Sequence, residues 1–148
     1  MHVHLAEADL FALHVGGTPI AVTTNGLVGR DGLARLGAGC ARECGRRFPW
    51  FSRELGRLIT THGLHTVQVG ERIIAFPVER DPYQNPELAL IESSARELVA
   101  LADREGWDEV ALARPGCGHG GLDWKDVAAV LAPILDHRFQ VVTLPNRP

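Results

Sequence analysis

The chain has 148 residues, of which 45% are hydrophobic and 22% charged, so its length and composition match a single globular domain over residues 1–148 with a substantial core. No apolar run approaches the ~20 residues that cross a bilayer, and the first ten residues lack the basic and apolar regions of a signal peptide, so we expect a cytoplasmic protein with no membrane partner. The three cysteines do not form the even, closely spaced pattern of a secreted disulfide framework, and the net charge of −3 gives no general attraction to a phosphate backbone.

The first half of the chain alternates short apolar runs with segments of helical periodicity. Residues 2–10 predict a strand that ends at an acidic turn, and residues 18–25 predict a second, β-branched strand that stops before a glycine. Glycines are dense over 26–39, which predicts a loop followed by a short helix. Residues 50–63 then repeat apolar side chains on one helical face, with Gly63 as the predicted stop.

The second half predicts, in order, two strands around a tight Gly70-Glu71 turn, a long helix, a strand, a helix that ends near Pro133, and a final strand. These segments are 65–79, 85–107, 108–116, 122–135 and 138–144. Asn85 is the predicted N-cap of the long helix and Gly106 its predicted stop. Strands that alternate with helices of this length indicate an α/β layered sheet with helices on both faces.

Two glycine-rich turns each stand between a predicted strand and a predicted helix. Residues 37–39 are Gly-Ala-Gly, and residues 116–121 contain four glycines together with Cys117 and His119. The first amides of a helix lack partners and carry partial positive charge, and glycine lets the backbone approach an anion closely. Two such turns suit a diphosphate, although neither matches GxxxxGK[ST] or GxGxxG. The alternative is that both are tight turns that bind nothing.

Two further types of site use the same loop. A thiol nucleophile with its base would combine Cys117 and His119, but side chains two residues apart on a glycine loop need an unusual bend to meet. A zinc site would add Cys40 and Cys44, but no Cys-x-x-Cys spacing is present. We therefore predict neither a metal nor a cofactor.

Five segments, taken together, resemble a macrodomain, the ADP-ribose-binding fold, and look most like the branch that contains terminal ADP-ribose protein glycohydrolase and the bacterial antitoxins that remove ADP-ribose from DNA. In chain order they are EADLF, IAVTTNGL, LGAGCARECGRRFP, FPVERDPYQNPELALIESSARELV and RPGCGHGGLDWKDV. The resemblance covers nearly the whole chain. It implies a three-layer α/β/α fold with a central mixed sheet, and a bacterial, monomeric protein whose partner is ADP-ribose or a mono-ADP-ribosylated protein or nucleic acid.

The resemblance also implies roles for individual residues. Asp9 matches the acid that accepts a hydrogen bond from the adenine amine, Leu10 lies beside it along the adenine cleft, and Asn25 matches the asparagine near the distal ribose. The remaining ligand-binding residues belong to the two loops and to the end of the strand before the long helix. They are Gly37, Ala38, Gly39, Pro77, Val78, Gly116, Cys117, Gly118, His119, Gly120, Gly121 and Leu122.

Departures from the family pattern bear on activity. The lysine and the aspartate that assist hydrolysis in the glycohydrolase branch fall on Ala38 and Gly120, which cannot do that chemistry. The favoured function is a mono-ADP-ribosyl hydrolase that positions a water against a bound phosphate, with Asn25 orienting the ribose and His119 or Asp81 handling a proton. The alternative is a reader that binds ADP-ribose without turning it over.

Overall fold

A computed structural model of the chain describes residue 3 and residues 5–81, 83–116 and 121–143. Within these residues, six strands form one sheet in the order β1-β6-β5-β2-β4-β3. The strands are β1 (Leu5–Glu7), β2 (Ile20–Thr24), β3 (Val67–Gly70), β4 (Ile73–Pro77), β5 (Val110–Ala113) and β6 (Phe139–Thr143). All neighbouring pairs are parallel except β3 and β4, so the predicted mixed sheet is confirmed.

Helices cover both faces of this sheet, as predicted. They are α1 (Leu10–Val15), α2 (Cys40–Arg47), α3 (Phe51–His62), α4 (Leu88–Glu105) and α5 (Trp124–Leu131). Alternate residues of β2 point into two separate cores: Ile20 and Val22 pack with α1, α2 and α3, whereas Ala21 packs with α4 and α5. The result is a three-layer α/β/α arrangement. Among the described helices, none has both the length and the apolar character needed to span a membrane.

The boundaries of the elements differ from the prediction at three places. The prediction that Asn85 caps the long helix is wrong, because α4 begins at Leu88 and its N-cap is Glu87, whose backbone is extended. The tight turn after β3 lies at Glu71 and Arg72, one residue later than predicted. α1 was not predicted at all; it is six residues long. Gly106 ends α4 in the left-handed conformation, as predicted.

The carboxyl ends of the five parallel strands lie along one edge of the sheet, which we call the carboxyl edge. The segments that follow β1, β2, β4 and β5 begin there. In layered α/β sheets this is the edge at which ligands bind. Of the described residues that the sequence assigned to the ligand, Pro77 is the last residue of β4, and the others lie on these four segments or in the glycine turn before α2.

Candidate functional site

Asp9 connects β1 to α1 and acts as the N-cap of this helix. Its Oδ1 atom accepts hydrogen bonds from the backbone amides of Phe11 at 3.0 Å and Ala12 at 3.3 Å. The residue is exposed, and its Oδ2 atom has no hydrogen bond to any residue that the structure describes. Asp9 can therefore cap the helix and still offer one carboxylate oxygen to a ligand. Its neighbour Leu10 is buried, and only its few exposed atoms could contact one.

Asn25, directly after β2, is buried and holds the segment that follows it. Its Nδ2 atom donates to the Arg35 carbonyl at 2.7 Å, and its Oδ1 atom accepts from the Leu27 amide at 2.8 Å. The carboxamide thus joins the two ends of the segment 26–35. The second hydrogen of Nδ2 has no acceptor among the described residues and is available to a ribose. The neighbouring Thr24 hydroxyl is also buried, with no partner among the described residues.

The segment 26–35 is an ordered hairpin rather than the open loop that its glycines predicted. Its two arms pair through Gly29 N–H to the Leu33 carbonyl at 2.9 Å, and through a bridge between Val28 and Ala34. Ala34 also pairs with Ser52 of α3, whose hydroxyl donates to the Ala34 carbonyl at 2.7 Å. The hairpin is therefore fixed to Asn25 at its base and to α3 along its length.

The first glycine turn, residues 37–39, leads into α2. Gly37 and Gly39 have φ angles of +68° and +75°, which residues with a side chain rarely adopt. Gly39 is the N-cap of α2, and it provides no side-chain cap for the first amides of the helix. All three residues are exposed. Cys40, the first residue of α2, has its Sγ atom 3.2 Å from the Thr23 hydroxyl near the end of β2, so the turn lies at the carboxyl edge, and Ala38 adds only a methyl group to it.

The second glycine turn follows β5. Gly116 has a φ of +71° and is buried, and a Cβ atom there would lie 3.0 Å from Ile91 Cδ1. Its carbonyl accepts a hydrogen bond from the Leu122 amide at 2.6 Å, which closes the turn before α5. Gly121 is exposed at this closure. The predicted contacts at Cys117, Gly118, His119 and Gly120 lie outside the described residues.

Residues 36–131 match the family model of the Macro domain. The chain belongs to the macrodomain family.

Solved structures of other proteins show the same fold. The macrodomain of Thermus aquaticus DarG is 18% identical, with 98% of each chain covered and a TM-score of 0.72. The macrodomain of Mycobacterium tuberculosis DarG is 22% identical over 98% of this chain and 99% of that chain, with a TM-score of 0.73. Thermosipho africanus DarTG, solved in complex with ADP-ribose, is 21% identical over 95% of this chain but only 41% of its own, with a TM-score of 0.73. No curated protein matches the sequence.

The segment between β4 and α4, which we call the wall, lies beside Asn25 at the carboxyl edge of the macrodomain. Val78 N–H donates to the Thr24 carbonyl at 3.0 Å, and the Arg80 carbonyl accepts from Gly26 N–H at 3.1 Å. The segment then closes on itself, because Glu87 N–H donates to the Val78 carbonyl at 3.0 Å. These bonds fix the backbone of Val78, Arg80 and Glu87 next to the base of the hairpin.

Glu79 lies in this segment and is half-buried. Burial raises the pKa of its carboxyl group, and the negative charge of Asp81 raises it further. Behind the wall, the buried Ser94 hydroxyl of α4 donates to the Pro77 carbonyl at 2.6 Å, which holds the end of β4 against the helix. Pro77 and Val78 are themselves buried, so they can shape the site but expose little surface to a ligand.

The two described cysteines of the macrodomain are protonated thiols. Burial raises the pKa of Cys40, whose Sγ atom lies 3.2 Å from the Thr23 hydroxyl. Burial and the nearby Cys40 raise the pKa of Cys44 to about 12. Because the thiolate is the form that attacks a substrate or binds zinc, neither thiol is suited to these roles. Among the described residues, no three His, Cys, Asp or Glu side chains gather as a metal site would require.

Sequence reasoning missed two features of the site. The hydrogen bond from Asn25 to the Arg35 carbonyl joins residues ten positions apart, and no local sequence pattern predicts it. The exposed Tyr83 of the β4–α4 segment has no role in the sequence-based prediction. Its position in the segment FPVERDPYQNP, which carried part of the family resemblance, was the available signal.

Proposed function

We propose that this macrodomain binds ADP-ribose along its carboxyl edge and removes a single ADP-ribose group from a modified macromolecule. The observation that carries the proposal is the pair of glycine turns in which Gly37, Gly39 and Gly116 adopt positive φ angles. The first turn leads into α2, whose Cys40 Sγ atom lies 3.2 Å from the Thr23 hydroxyl of β2, and the second follows β5. β2 and β5 are neighbouring strands, ~5 Å apart. Amides of both turns can therefore face one diphosphate. The same fold in the Thermosipho africanus protein was solved with ADP-ribose.

The strand order supports one direction for the ligand. Asp9 follows β1, Gly116 follows β5 and Asn25 follows β2, and the order β1-β6-β5-β2 puts them in this sequence along the edge. Three strand spacings separate β1 from β2, which amounts to ~14 Å. Adenine then lies at Asp9, the diphosphate between the glycine turns, and the distal ribose at Asn25. The free Oδ2 atom of Asp9 accepts the hydrogen bond from the adenine amine.

Hydrolysis in this site depends on geometry and backbone dipoles. Water attacks C1″ of the distal ribose, the bond from C1″ to the acceptor breaks, and the acceptor leaves with a proton. Ala38 offers no nucleophile, so the amides of the two turns stabilise the phosphates that position the water. Asn25 contributes its one remaining amide hydrogen to the ribose. Asp81 or His119 supplies or removes the proton.

A second candidate function is a reader that binds ADP-ribose and leaves the bond intact. The alanine at position 38 and the glycine at position 120 favour it, since neither can attack or protonate the ribose. The two hydrogen bonds of the Asn25 carboxamide, to the Arg35 carbonyl and from the Leu27 amide, also favour the reader. They leave this side chain few donors or acceptors for a reacting ribose.

Two measurements separate these functions. Calorimetry with ADP-ribose tests binding, and the release of ADP-ribose from mono-ADP-ribosylated protein and from ADP-ribosylated single-stranded DNA tests turnover. Both functions predict a heat of binding, but only the hydrolase predicts release. An absence of binding at millimolar ADP-ribose would exclude both, while binding without release from either substrate at high protein concentration would leave the reader.

The adenine assignment has its own test in Asp9→Asn. The asparagine oxygen can still cap α1, so the fold is preserved, but the second oxygen becomes an N–H donor that cannot accept from the adenine amine. We expect the affinity for ADP-ribose to fall by about five- to tenfold, the effect of one lost hydrogen bond. The affinity for ribose 5-phosphate, which lacks adenine, should not change. An equal loss for both ligands would contradict the placement of adenine at Asp9.

A further inference from the structure

We propose that Tyr83 is a specificity-determining residue that contacts the acceptor, and that this acceptor is a polypeptide with basic residues next to the ADP-ribosylated side chain. The inference rests on the proposed function, because it extends the ligand direction given above by one strand. It assigns a substrate class to the described residues 79–81 and 83–87, of which Arg80 is hydrogen-bonded to Gly26 at the base of the hairpin.

The order of the strands locates the acceptor. β4 lies next to β2 on the side away from β5 and β1. A ligand that runs from Asp9 to Asn25 therefore points the C1″ atom of its distal ribose toward the segment that follows β4, which is ~5 Å further along the edge. That segment runs beside Asn25, since Val78 and Arg80 are hydrogen-bonded to the residues on either side of it. The group attached to C1″ then lies over residues 79–81 and 83–87.

Tyr83 offers an exposed ring on a backbone that is already fixed. The residue is 91% exposed. Its amide donates to Asp81 Oδ1 at 2.8 Å, and Gln84 N–H donates to the Asp81 carbonyl at 3.0 Å, so a tight turn holds its position. An aromatic side chain with few torsion angles on a fixed turn binds a partner at a small cost in conformational entropy. Tyr83 is thus preorganised to contact an acceptor.

The other large exposed hydrophobic residues among those described lie at the opposite edge of the sheet. Val15 ends α1 just before β2 begins, and Trp50 packs on Gly70, at the end of β3 that pairs with the start of β4. Within the described residues, Tyr83 is therefore the one large exposed hydrophobic side chain at the carboxyl edge. Its exposure coincides with the place where the acceptor must lie.

The charges of the segment favour a basic polypeptide over a polynucleotide. Its one arginine, Arg80, is already paired with Glu87, with the Nε and Oε2 atoms 3.3 Å apart. Glu79 and Asp81 have no cationic partner among the described residues, so the segment carries two uncompensated carboxylates next to Tyr83. A phosphodiester backbone requires cations and would be repelled here, whereas lysine or arginine residues that flank the modified side chain would be attracted.

The test compares Tyr83→Ala, Tyr83→Phe and the control Val15→Ala, which shortens a comparably exposed apolar side chain at the opposite edge. The substrates are free ADP-ribose and a mono-ADP-ribosylated peptide with basic flanking residues. We expect Tyr83→Ala to lower kcat/KM for the peptide about five- to tenfold, while the Kd for free ADP-ribose changes less than about twofold. Tyr83→Phe and Val15→Ala should resemble the wild type in both. If the peptide is bound but not cleaved, its Kd replaces kcat/KM.

Equal losses for free ADP-ribose and for the peptide would overturn the inference, since Tyr83 would then belong to the ADP-ribose site itself. Unchanged activity toward the peptide would also overturn it. Failure of the wild type to bind free ADP-ribose would instead exclude the proposed function on which the inference rests. The two failures are therefore distinguishable in one experiment.

The substrate class is tested with Glu79→Gln and two peptides that differ only in flanking charge. We expect the wild type to prefer the peptide with basic flanks, and the preference to shrink in Glu79→Gln and at high salt. An ADP-ribosylated oligonucleotide serves as the competing substrate. Faster turnover or tighter binding of the oligonucleotide than of the basic peptide would overturn the assignment of a polypeptide acceptor.

Discussion

The Asn25→Asp substitution tests how the end of β2 and the hairpin 26–35 are held together. The carboxylate oxygen that replaces Oδ1 can still accept from the Leu27 amide. The oxygen that replaces Nδ2 would face the Arg35 carbonyl at a site where the wild-type separation is 2.7 Å and where the side chain is 3% exposed. A buried carboxylate against a carbonyl oxygen is unfavourable, so burial will raise the pKa of the introduced carboxyl group above its usual value of ~3.9.

The sign of the pH dependence follows from that shift. Below about pH 4 the carboxyl group is protonated in both folded and unfolded chains, and its hydroxyl can donate to the Arg35 carbonyl, so the variant should approach wild-type stability. As the pH rises, the unfolded chain ionises first, and the variant loses about 1.4 kcal/mol of unfolding free energy per pH unit until the folded protein ionises too. A rise of about two pKa units corresponds to a total loss of about 3 kcal/mol.

The companion substitution Asn25→Ala removes both bonds and leaves the Leu27 amide and the Arg35 carbonyl without partners. We expect a loss of about 2–4 kcal/mol that does not depend on pH. Urea unfolding between pH 4.5 and 7.5, followed by tryptophan fluorescence, measures both variants, and Asn85→Asp supplies the same chemical change at an exposed position. A loss below about 0.5 kcal/mol in Asn25→Asp at every pH would refute the argument that Asn25 anchors the hairpin.

Three further outcomes are expected. Gly116→Ala should lower the unfolding free energy by about 1–2 kcal/mol and weaken ADP-ribose binding. Gly106 has a similar φ of +72°, but an added Cβ atom there would meet only open space. Gly106→Ala should therefore cost only the backbone strain and leave the affinity for ADP-ribose unchanged. Cys44, whose pKa burial raises to about 12, should react with iodoacetamide at pH 8 only after unfolding, and rapid labelling of the native protein by mass spectrometry would contradict its burial. Arg138 lowers the pKa of Asp136 to about 2, so the stability that this pair contributes above about pH 4 should be lost as the pH falls to about 2. The two side chains are 18% and 36% exposed, so this contribution is less than about 1 kcal/mol, and Arg138→Ala should lack it. Identical acid denaturation curves for the two proteins would refute the coupling.

The sequence predicts the layered fold well because the signals for its main elements are local. β2 and β5 are short runs of apolar residues that are buried on both faces of the sheet, and α4 repeats its buried residues at helical spacing until Gly106 ends it. α1 was missed because six residues are too few to show a helical period, and its cap Asp9 was assigned to the adenine instead. The same carboxylate can do both, because Oδ1 caps the helix and Oδ2 is a second acceptor.

The site was only partly predictable, for a different reason. The glycine turn at 37–39 and the turn that begins at Gly116 were predictable, because closely spaced glycines in a sequence indicate backbone with positive φ angles. The bond from Asn25 to the Arg35 carbonyl, and the exposure of Tyr83, depend on where distant segments come to rest. Such contacts arise from tertiary packing, and neither composition nor periodicity encodes them.

The contact between the hairpin and α3 allows substitutions in α3 to disturb the candidate site. Gly56 of α3 packs directly against the Gly32 carbonyl, and a side chain at position 56 would collide with it. Substitutions at Gly56 would displace the hairpin from the helix. This displacement would disturb the hydrogen bond between the Arg35 carbonyl and the carboxamide of Asn25. Screens for inactive variants should therefore recover changes in the middle of a helix that no ligand touches, and such variants would bind ADP-ribose poorly while keeping most of their secondary structure.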